Sequence, residues 1–216
     1  MRVTSVNVGM PRETVWKGLT VRTGIFKQPV AGPVMIRTLN LSGDQQADLT
    51  LHGGLAKAVY AYPAEHYPYW QGQLPEATLS SGNFGENLTT EGLLEEALCI
   101  GDRLQIGSAV LMVTQPRMPC YKLALKFQRD DMIHRFLASG RVGFYFAVVQ
   151  AGEVYAGCEI KILSRDPHYV SVADVVKLYL GRVRDPDLAA RATKVSALPD
   201  NWKYQILSRM DRRQQL

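Results

Sequence analysis

Between positions 103 and 114 the chain reads Arg103-Leu104-Gln105-Ile106-Gly107-Ser108-Ala109-Val110-Leu111-Met112-Val113-Thr114. Two apolar runs flank Gly107-Ser108, a dipeptide typical of tight turns, so this stretch predicts a β-hairpin. A second hairpin is predicted from a strand at 144–149, a turn at Gly152 and a strand that ends at Leu163. Short strands with glycine-rich turns fill the first three quarters of the chain, which is typical of a β-barrel.

After residue 164 the pattern becomes helical. Ser171-Val172-Ala173-Asp174 is a variant capping box that predicts a helix to Leu180. Asp185-Pro186 supplies a cap and a first-turn proline for a second helix, and Pro199-Asp200 begins a third. The sequence therefore predicts a mainly β protein with α-helices, in which a barrel domain (1–163) precedes a three-helix domain (164–216).

Length and composition narrow the class of protein. The 216 residues are 46% hydrophobic, enough for a substantial core. No apolar run approaches the roughly 18 residues of a membrane span, and the N-terminus lacks the apolar region of a signal peptide. The three cysteines, Cys99, Cys120 and Cys158, are an odd number spread along the chain. That pattern argues against a disulfide framework, so we expect a cytoplasmic protein with no membrane partner.

The net charge of +5 is unevenly distributed. Residues 165–216 hold ten basic and six acidic side chains, which leaves only +1 for the rest of the chain. The basic tail is either a solvated helical surface or a surface that meets an acidic partner, such as an electron-donor protein. No aromatic interleaving or recognition motif points to a nucleic acid, so we do not expect one as a partner.

The first hairpin continues into Gln115-Pro116-Arg117-Met118-Pro119-Cys120-Tyr121-Lys122. Pro119 suits the first position of a short helix, which would place Cys120 in the first turn. Free N–H groups there, together with Arg117 and Lys122, favour an anion and lower the pKa of a thiol. A thiolate at Cys120 would serve as a nucleophile or as a metal ligand, and these residues alone leave both readings open.

Three glycine-containing loops are further candidates for a binding site. They are His52-Gly53-Gly54, the loop 82–88 with Gly85 and Asn87, and Thr23-Gly24-Ile25-Phe26-Lys27. Each supplies exposed amides or polar side chains that suit an anionic or polar ligand. Each also has a plain structural reading, as a turn or as a connection between strands.

Taken together, these segments resemble the MOSC domain family, and its YiiM-like bacterial branch in particular. The resemblance rests on His-Gly-Gly at 52–54, Phe-Gly-Glu-Asn-Leu at 84–88, Ile-Gly-Asp at 100–102 and the motif at 115–122. It covers nearly the whole chain. It implies a MOSC-type β-barrel core with the three-helix tail.

The resemblance also implies a function. Members of this branch reduce N-hydroxylated compounds such as 6-hydroxylaminopurine with a molybdenum-pterin cofactor (Mo), whose metal is held by the family's cysteine. Cys120 matches that cysteine, and the catalytic group maps onto Thr23, His52 and Cys120. Cofactor-binding positions are expected at Lys27, Gly53, Gly85, Asn87, Arg117 and Lys122. No nucleotide-binding fingerprint occurs in the chain, so we expect a separate reductase to supply the electrons.

Two alternatives stay open at this point. One is a metal-free cysteine enzyme with Cys120 as nucleophile and His52 as base, although no hydrolase signature surrounds the cysteine. The other is a non-enzymatic carrier of the molybdenum cofactor or of sulfur. It needs the same cysteine but no turnover.

Overall fold

The computed structural model describes residues 1–48 and 53–211. Its strands are β1 (Arg2–Val8), β2 (Arg12–Trp16), β3 (Leu19–Thr23), β4 (Gln28–Pro29), β5 (Val34–Ile36), β6 (Val59–Pro63), β7 (Leu88–Glu91), β8 (Arg103–Ile106), β9 (Ala109–Pro116), β10 (Phe144–Gln150), β11 (Gly152–Val154) and β12 (Ile160–Ser164). Its α-helices are α1 (His66–Gln73), α2 (Tyr121–Phe127), α3 (Met132–Ser139), α4 (Val172–Leu180), α5 (Pro186–Lys194) and α6 (Asp200–Asp211). A short 3₁₀ helix spans Leu55–Lys57. None of the helices in these ranges is both long and apolar enough to cross a membrane.

Eight strands form one mixed sheet in the order β12-β8-β9-β10-β6-β7-β1-β4. Strands β6 and β7 pair in parallel, while the other neighbours are antiparallel. The predicted hairpin at 103–114 is confirmed: β8 and β9 pair directly, and Ile106 faces Ala109 across the turn. Strands β2 and β3 make a separate hairpin, and β5 pairs with β11.

The second predicted hairpin is wrong. Strand β10 pairs with β6 and β9, β11 pairs with β5, and β12 pairs with β8. Two strands, β8 and β9, therefore lie between β10 and β12 in the sheet. The chain does reverse near Gly152, but both edges of β10 are already paired, so β12 adds to the open edge of β8 instead.

The prediction of a closed β-barrel is also wrong. The sheet ends at β12 on one side and at β4 on the other. Between β1 and the residues that lead into β12 there is only an isolated bridge, from Arg2 to Glu159, and no pairing of the two strands in the described part of the chain. Backbone hydrogen bonds accompany it at the adjoining turn, where the Gly157 N–H donates to the Val3 carbonyl at 2.7 Å. The fold is therefore an open mixed sheet with six α-helices in the described part of the chain.

The three C-terminal helices begin close to the predicted positions. The capping box is confirmed, since Ser171 Oγ accepts from the Asp174 N–H at 3.0 Å and the Asp174 carboxylate accepts from the Ser171 N–H at 3.1 Å. Helix α5 begins at Pro186, as predicted. Apolar side chains of α4–α6 belong to the same buried cluster as those of the sheet. The division at residue 163 stays a prediction, and the two parts share one core.

The Ile-Gly-Asp motif anchors the connection between β12 and α4. Asp102 is fully buried and accepts from the Cys99 N–H at 3.0 Å, the Asp166 N–H at 3.0 Å and Arg165 Nη1 at 2.7 Å. Its carboxylate thus joins the loop before β8 to the segment that leads into the tail. The motif has a structural role here that does not require a ligand.

We expect Asp102→Ala to lower the free energy of unfolding by about 2–3 kcal/mol, because it leaves buried N–H donors without an acceptor. Urea unfolding followed by circular dichroism measures this change. Asp200→Ala is the matched control, since the Asp200 carboxylate is fully exposed and lies 3.5 Å from Lys203. It should change stability by less than about 0.5 kcal/mol. Equal effects of the two substitutions would contradict the anchoring role of Asp102.

Candidate functional site

A recess of about 580 Å³, a volume that includes open solvent at its mouth, lies where β3, β6 and β10 meet the start of α2. We call it the Cys120 recess. It is lined by Thr23, Gly24, Ile25, Lys27, Gln45, Gln46, Ala47, Lys57, Tyr60, Gly85, Asn87, Arg117, Cys120, Lys122 and Tyr145. Residues far apart in sequence therefore share one opening.

Seven of the nine residues predicted for the site line this recess: Thr23, Lys27, Gly85, Asn87, Arg117, Cys120 and Lys122. Gly53 is described but is not among the lining residues. His52 lies outside the described residues. The roles assigned to all nine stay predictions.

Cys120 enters the recess at the N-terminus of α2. Strand β9 ends at Pro116, and Cys120 has an extended backbone (φ −124°, ψ 176°) as the N-cap of α2. The predicted helix start is therefore wrong by two residues: Pro119 precedes the cap, and Cys120 lies just outside the first turn. The Cys120 side chain makes no capping hydrogen bond to the helix, so the thiol lies at the recess instead of covering the helix end.

Arg117 is the most unusual charge in the recess. It is only 6% exposed, yet within residues 1–48 and 53–211 it has no ion pair with a carboxylate. Its guanidinium packs against the rings of Tyr60 and Phe136, 4.9 and 5.3 Å from their centres, and Nη1 lies 3.5 Å from the Tyr60 hydroxyl. A buried guanidinium held mainly by aromatic rings keeps its hydrogen-bond donors available for an anion.

Two lysines extend this positive region. Lys122 is 9% exposed and, in the described part of the chain, also has no carboxylate partner. Lys57, at the end of the 3₁₀ helix, lines the same recess, and partial burial lowers the pKa of its ammonium group. Lys57 was not singled out from the sequence. Positive charge gathered in a partly buried recess favours an anionic ligand.

Lys27 and Asn87 differ from Arg117 because both contact the carboxylate of Asp44. Lys27 Nζ forms a short ion pair with Asp44 Oδ1, and Asn87 Nδ2 donates to Asp44 Oδ2 at 2.9 Å. The Gly9 N–H also donates to Asp44 Oδ1, at 2.9 Å. Burial lowers the pKa of Lys27, and the attraction of Asp44 opposes that shift. Asp44 therefore fixes two walls of the recess.

A second buried acid shapes the loop that carries Gly85. Glu86 is fully buried and accepts from the backbone N–H groups of Gly82 at 2.7 Å and Phe84 at 3.1 Å. Thr89 Oγ1 donates at 3.0 Å, and the Tyr67 hydroxyl donates as well. Burial raises the pKa of Glu86, and these donors oppose that rise. Gly85 has φ +79°, and a Cβ there would lie 2.9 Å from Ile25 Cγ1, so the loop needs glycine at this position.

Two tyrosines complete the wall beside Cys120. The rings of Tyr60 and Tyr145 are 5.2 Å apart, and both side chains line the recess. Burial raises the pKa of both hydroxyls, so they are neutral hydrogen-bonding groups at physiological pH. Thr23, on the other side, is buried, and its Oγ1 accepts from the Ile25 N–H at 3.2 Å. Aromatic faces, cations and one thiol thus surround the opening.

The described residues of the recess do not form a metal centre by themselves. In the described ranges no three His, Cys, Asp or Glu side chains are grouped so that they could hold a metal ion. Cys120 therefore contributes a single soft ligand, and any metal bound there would need most of its ligands from a cofactor.

These features define a class of protein: an open mixed-sheet domain with a recess that brings buried cations together beside a single cysteine. The family comparison is consistent with that class. Residues 48–161 match the model of the MOSC domain, and this chain belongs to the MOSC family.

Three relatives illustrate the similarity. The uncharacterized protein YflK of Bacillus subtilis is 40% identical over 210 residues, which cover 97% of this chain and 95% of that protein. Protein YiiM of Escherichia coli is 35% identical over 182 residues, or 83% of this chain and 81% of YiiM. A protein named Reductase from Gibberella moniliformis is 34% identical over 181 residues, which cover 82% of this chain but only 32% of the relative.

The fold is similar as well. The crystal structure of YiiM from Geobacillus stearothermophilus superposes with a TM-score of 0.80 at 32% identity, covering 97% of this chain and 98% of that structure. Sequence and structure together make this a YiiM-like MOSC protein.

Proposed function

We propose that the protein is a molybdenum cofactor-dependent oxidoreductase that reduces N-hydroxylated compounds, such as 6-hydroxylaminopurine, to the amine. One observation carries the proposal. Cys120 lies in a recess with Arg117 and Lys122, two buried cations without a carboxylate partner among the described residues. A thiolate ligand next to unneutralised cations suits a metal cofactor that bears a phosphate.

The residues present fit such a cofactor. Arg117, Lys122 and Lys57 offer donors for phosphate oxygens, and the Gly85 loop brings backbone close to the opening. Tyr60 and Tyr145 offer flat apolar faces for a planar ring. In this proposal Cys120 holds the metal, while Lys27 and Asn87 act mainly through Asp44, which they both contact. When bound, the molybdenum cofactor supplies the two-electron chemistry of the reaction.

The protein's own part in the reaction is positioning and proton supply. Reduction breaks the N–O bond, forms an N–H bond, consumes two electrons and two protons, and releases water. His52, which lies outside the described residues, is the proposed proton donor near neutral pH. Thr23 Oγ1, buried at the edge of the recess, is proposed to orient the N-hydroxyl group.

Electrons are proposed to come from a separate reductase. Support comes from the Gibberella relative, which carries the name Reductase and is about three times as long as the part that this chain matches. The exposed basic side chains of the tail, among them Lys177, Arg184 and Lys194, are the proposed contacts for an acidic donor protein.

Metal and pterin analysis tests the proposal. Protein produced in a host that makes the molybdenum cofactor is expected to contain molybdenum and pterin in amounts equal to the protein. It should also reduce 6-hydroxylaminopurine with a chemical electron donor. Protein without molybdenum, purified from a host in which the cofactor is demonstrably present, would overturn the proposal. Protein with a full molybdenum content but no reduction would favour the carrier function instead.

A further inference from the structure

Glu95 is a buried acid that the sequence did not single out, and it lies outside the Cys120 recess. It is only 2% exposed and is located in the connection between β7 and β8. His66 Nε2 lies 2.8 and 3.0 Å from its two carboxylate oxygens. Because charges this deeply buried are costly, a carboxylate kept here needs a structural or functional reason.

The second partner of Glu95 belongs to a loop that contacts two residues of the recess, Arg117 and Tyr60. Glu95 Oε1 accepts from the Gly143 N–H at 2.8 Å, and the Gly143 carbonyl accepts from the Arg117 N–H at 3.3 Å. A single residue, Gly143, thus links the Glu95 carboxylate to the backbone of Arg117. The neighbouring Val142 carbonyl accepts from the Tyr60 hydroxyl at 2.9 Å.

Gly143 packs closely against strand β6. It has φ +64°, and a Cβ there would lie 2.4 Å from the Ala61 carbonyl oxygen and 2.9 Å from the rings of Tyr60 and Tyr62. Strand β6 therefore confines the loop on one side, and Glu95 holds its N–H on the other. These two contacts fix the position of the Gly143 carbonyl. Because that carbonyl accepts from the Arg117 N–H, they also fix the backbone from which the Arg117 side chain extends.

Arg117 depends on this backbone support more than an ordinary arginine does. Its guanidinium has two ring contacts and one long hydrogen bond, to the Tyr60 hydroxyl at 3.5 Å. We propose that Glu95, oriented by His66, is a positioning residue that sets Arg117 for the anionic part of the ligand in the Cys120 recess. This inference rests on the proposed function insofar as that ligand is the cofactor, but the positioning of Arg117 is testable without it.

The test measures binding of inorganic pyrophosphate, by calorimetry, to full-length protein made in a host that lacks the molybdenum cofactor. We expect Glu95→Gln to weaken binding about tenfold, because the Gly143 N–H loses its charge-assisted acceptor and the backbone that positions Arg117 is held less firmly. In an Arg117→Ala background the same substitution should change binding less than about twofold, since its effect passes through Arg117. Glu96→Gln, an exposed neighbour, is the matched control and should leave binding unchanged.

If Glu95 only stabilised the fold, the loss of pyrophosphate binding would not depend on Arg117. Equal losses from Glu95→Gln in both backgrounds, or no loss in a folded variant, would overturn the proposal. If Glu95→Gln does not fold, His66→Gln takes its place with a smaller loss in the same direction, and the same comparison of backgrounds applies. Because pyrophosphate binding does not involve molybdenum, this coupling would support the positioning role even if protein from a host that makes the cofactor contained no molybdenum, a result that would refute only the proposed function.

Discussion

Replacing Cys120 with serine is expected to remove molybdenum from the purified protein while leaving the fold intact. Even changes to groups that only support metal ligands weaken metal binding about 10- to 100-fold, so loss of the ligand itself should exceed that range. A serine hydroxyl is neither soft nor ionised at neutral pH, and so it does not replace a thiolate. The extended backbone at Cys120 (φ −124°, ψ 176°) is open to any L-residue, so we expect a stability change below about 1 kcal/mol.

The measurement is molybdenum content per protein chain, with thermal unfolding as the check on folding. Cys158→Ala is the matched control, because Cys158 is buried away from the recess and should keep the wild-type metal content. A Cys120→Ser protein that retains molybdenum would show that the metal ligand lies elsewhere. Rapid alkylation of Cys120 in fully loaded wild-type protein would instead favour the metal-free cysteine enzyme, since a metal-bound thiolate is protected.

The success of the sequence prediction depended on how local each feature is. The β8–β9 hairpin and the caps of α4 and α5 are specified by neighbouring residues, and all three are confirmed. The pairing of β12 with β8 joins residues 54 to 61 positions apart, and no local signal specifies it. The same reasoning explains why the prediction of a closed barrel failed. Closure would require β12 to pair with β1, and contacts in that region, such as the one between Gly157 and Val3, join residues far apart in sequence.

In the candidate site, too, local features were predicted and non-local ones were not. Residues of the recess were predicted because each is part of a short motif that stands out by itself, such as a glycine loop or the Pro-Cys-Tyr-Lys segment. Their buried partners were missed. Asp44 reads as an ordinary turn residue, and only the fold brings its carboxylate to Lys27, 17 positions away. Glu95 and Tyr145 have no local signature either, because their roles arise from residues distant in sequence.

Asp44→Asn is expected to be the most destabilising single change in the recess. The buried Lys27 ammonium would lose its carboxylate partner, and breaking a buried pair in this way costs about 3–5 kcal/mol. Lys27→Met combined with Asp44→Asn should recover a large part of that loss, because no unpaired charge is left inside the protein. Urea unfolding of wild type and of the single and double variants measures both effects.

The pH dependence distinguishes loss of charge pairing from loss of packing. Burial already lowers the pKa of Lys27 below 10.5, and Asp44 opposes that shift, so Asp44→Asn should lower the pKa further. In the pH range between the folded and unfolded values, the folded protein then binds fewer protons than the unfolded chain. The free energy of unfolding of Asp44→Asn should therefore rise with pH toward 10.5, more steeply than that of wild type, and the double variant should lose this rise. A parallel pH profile for Asp44→Asn and wild type would assign the loss to packing, and Lys27 would not then be the group that Asp44 stabilises.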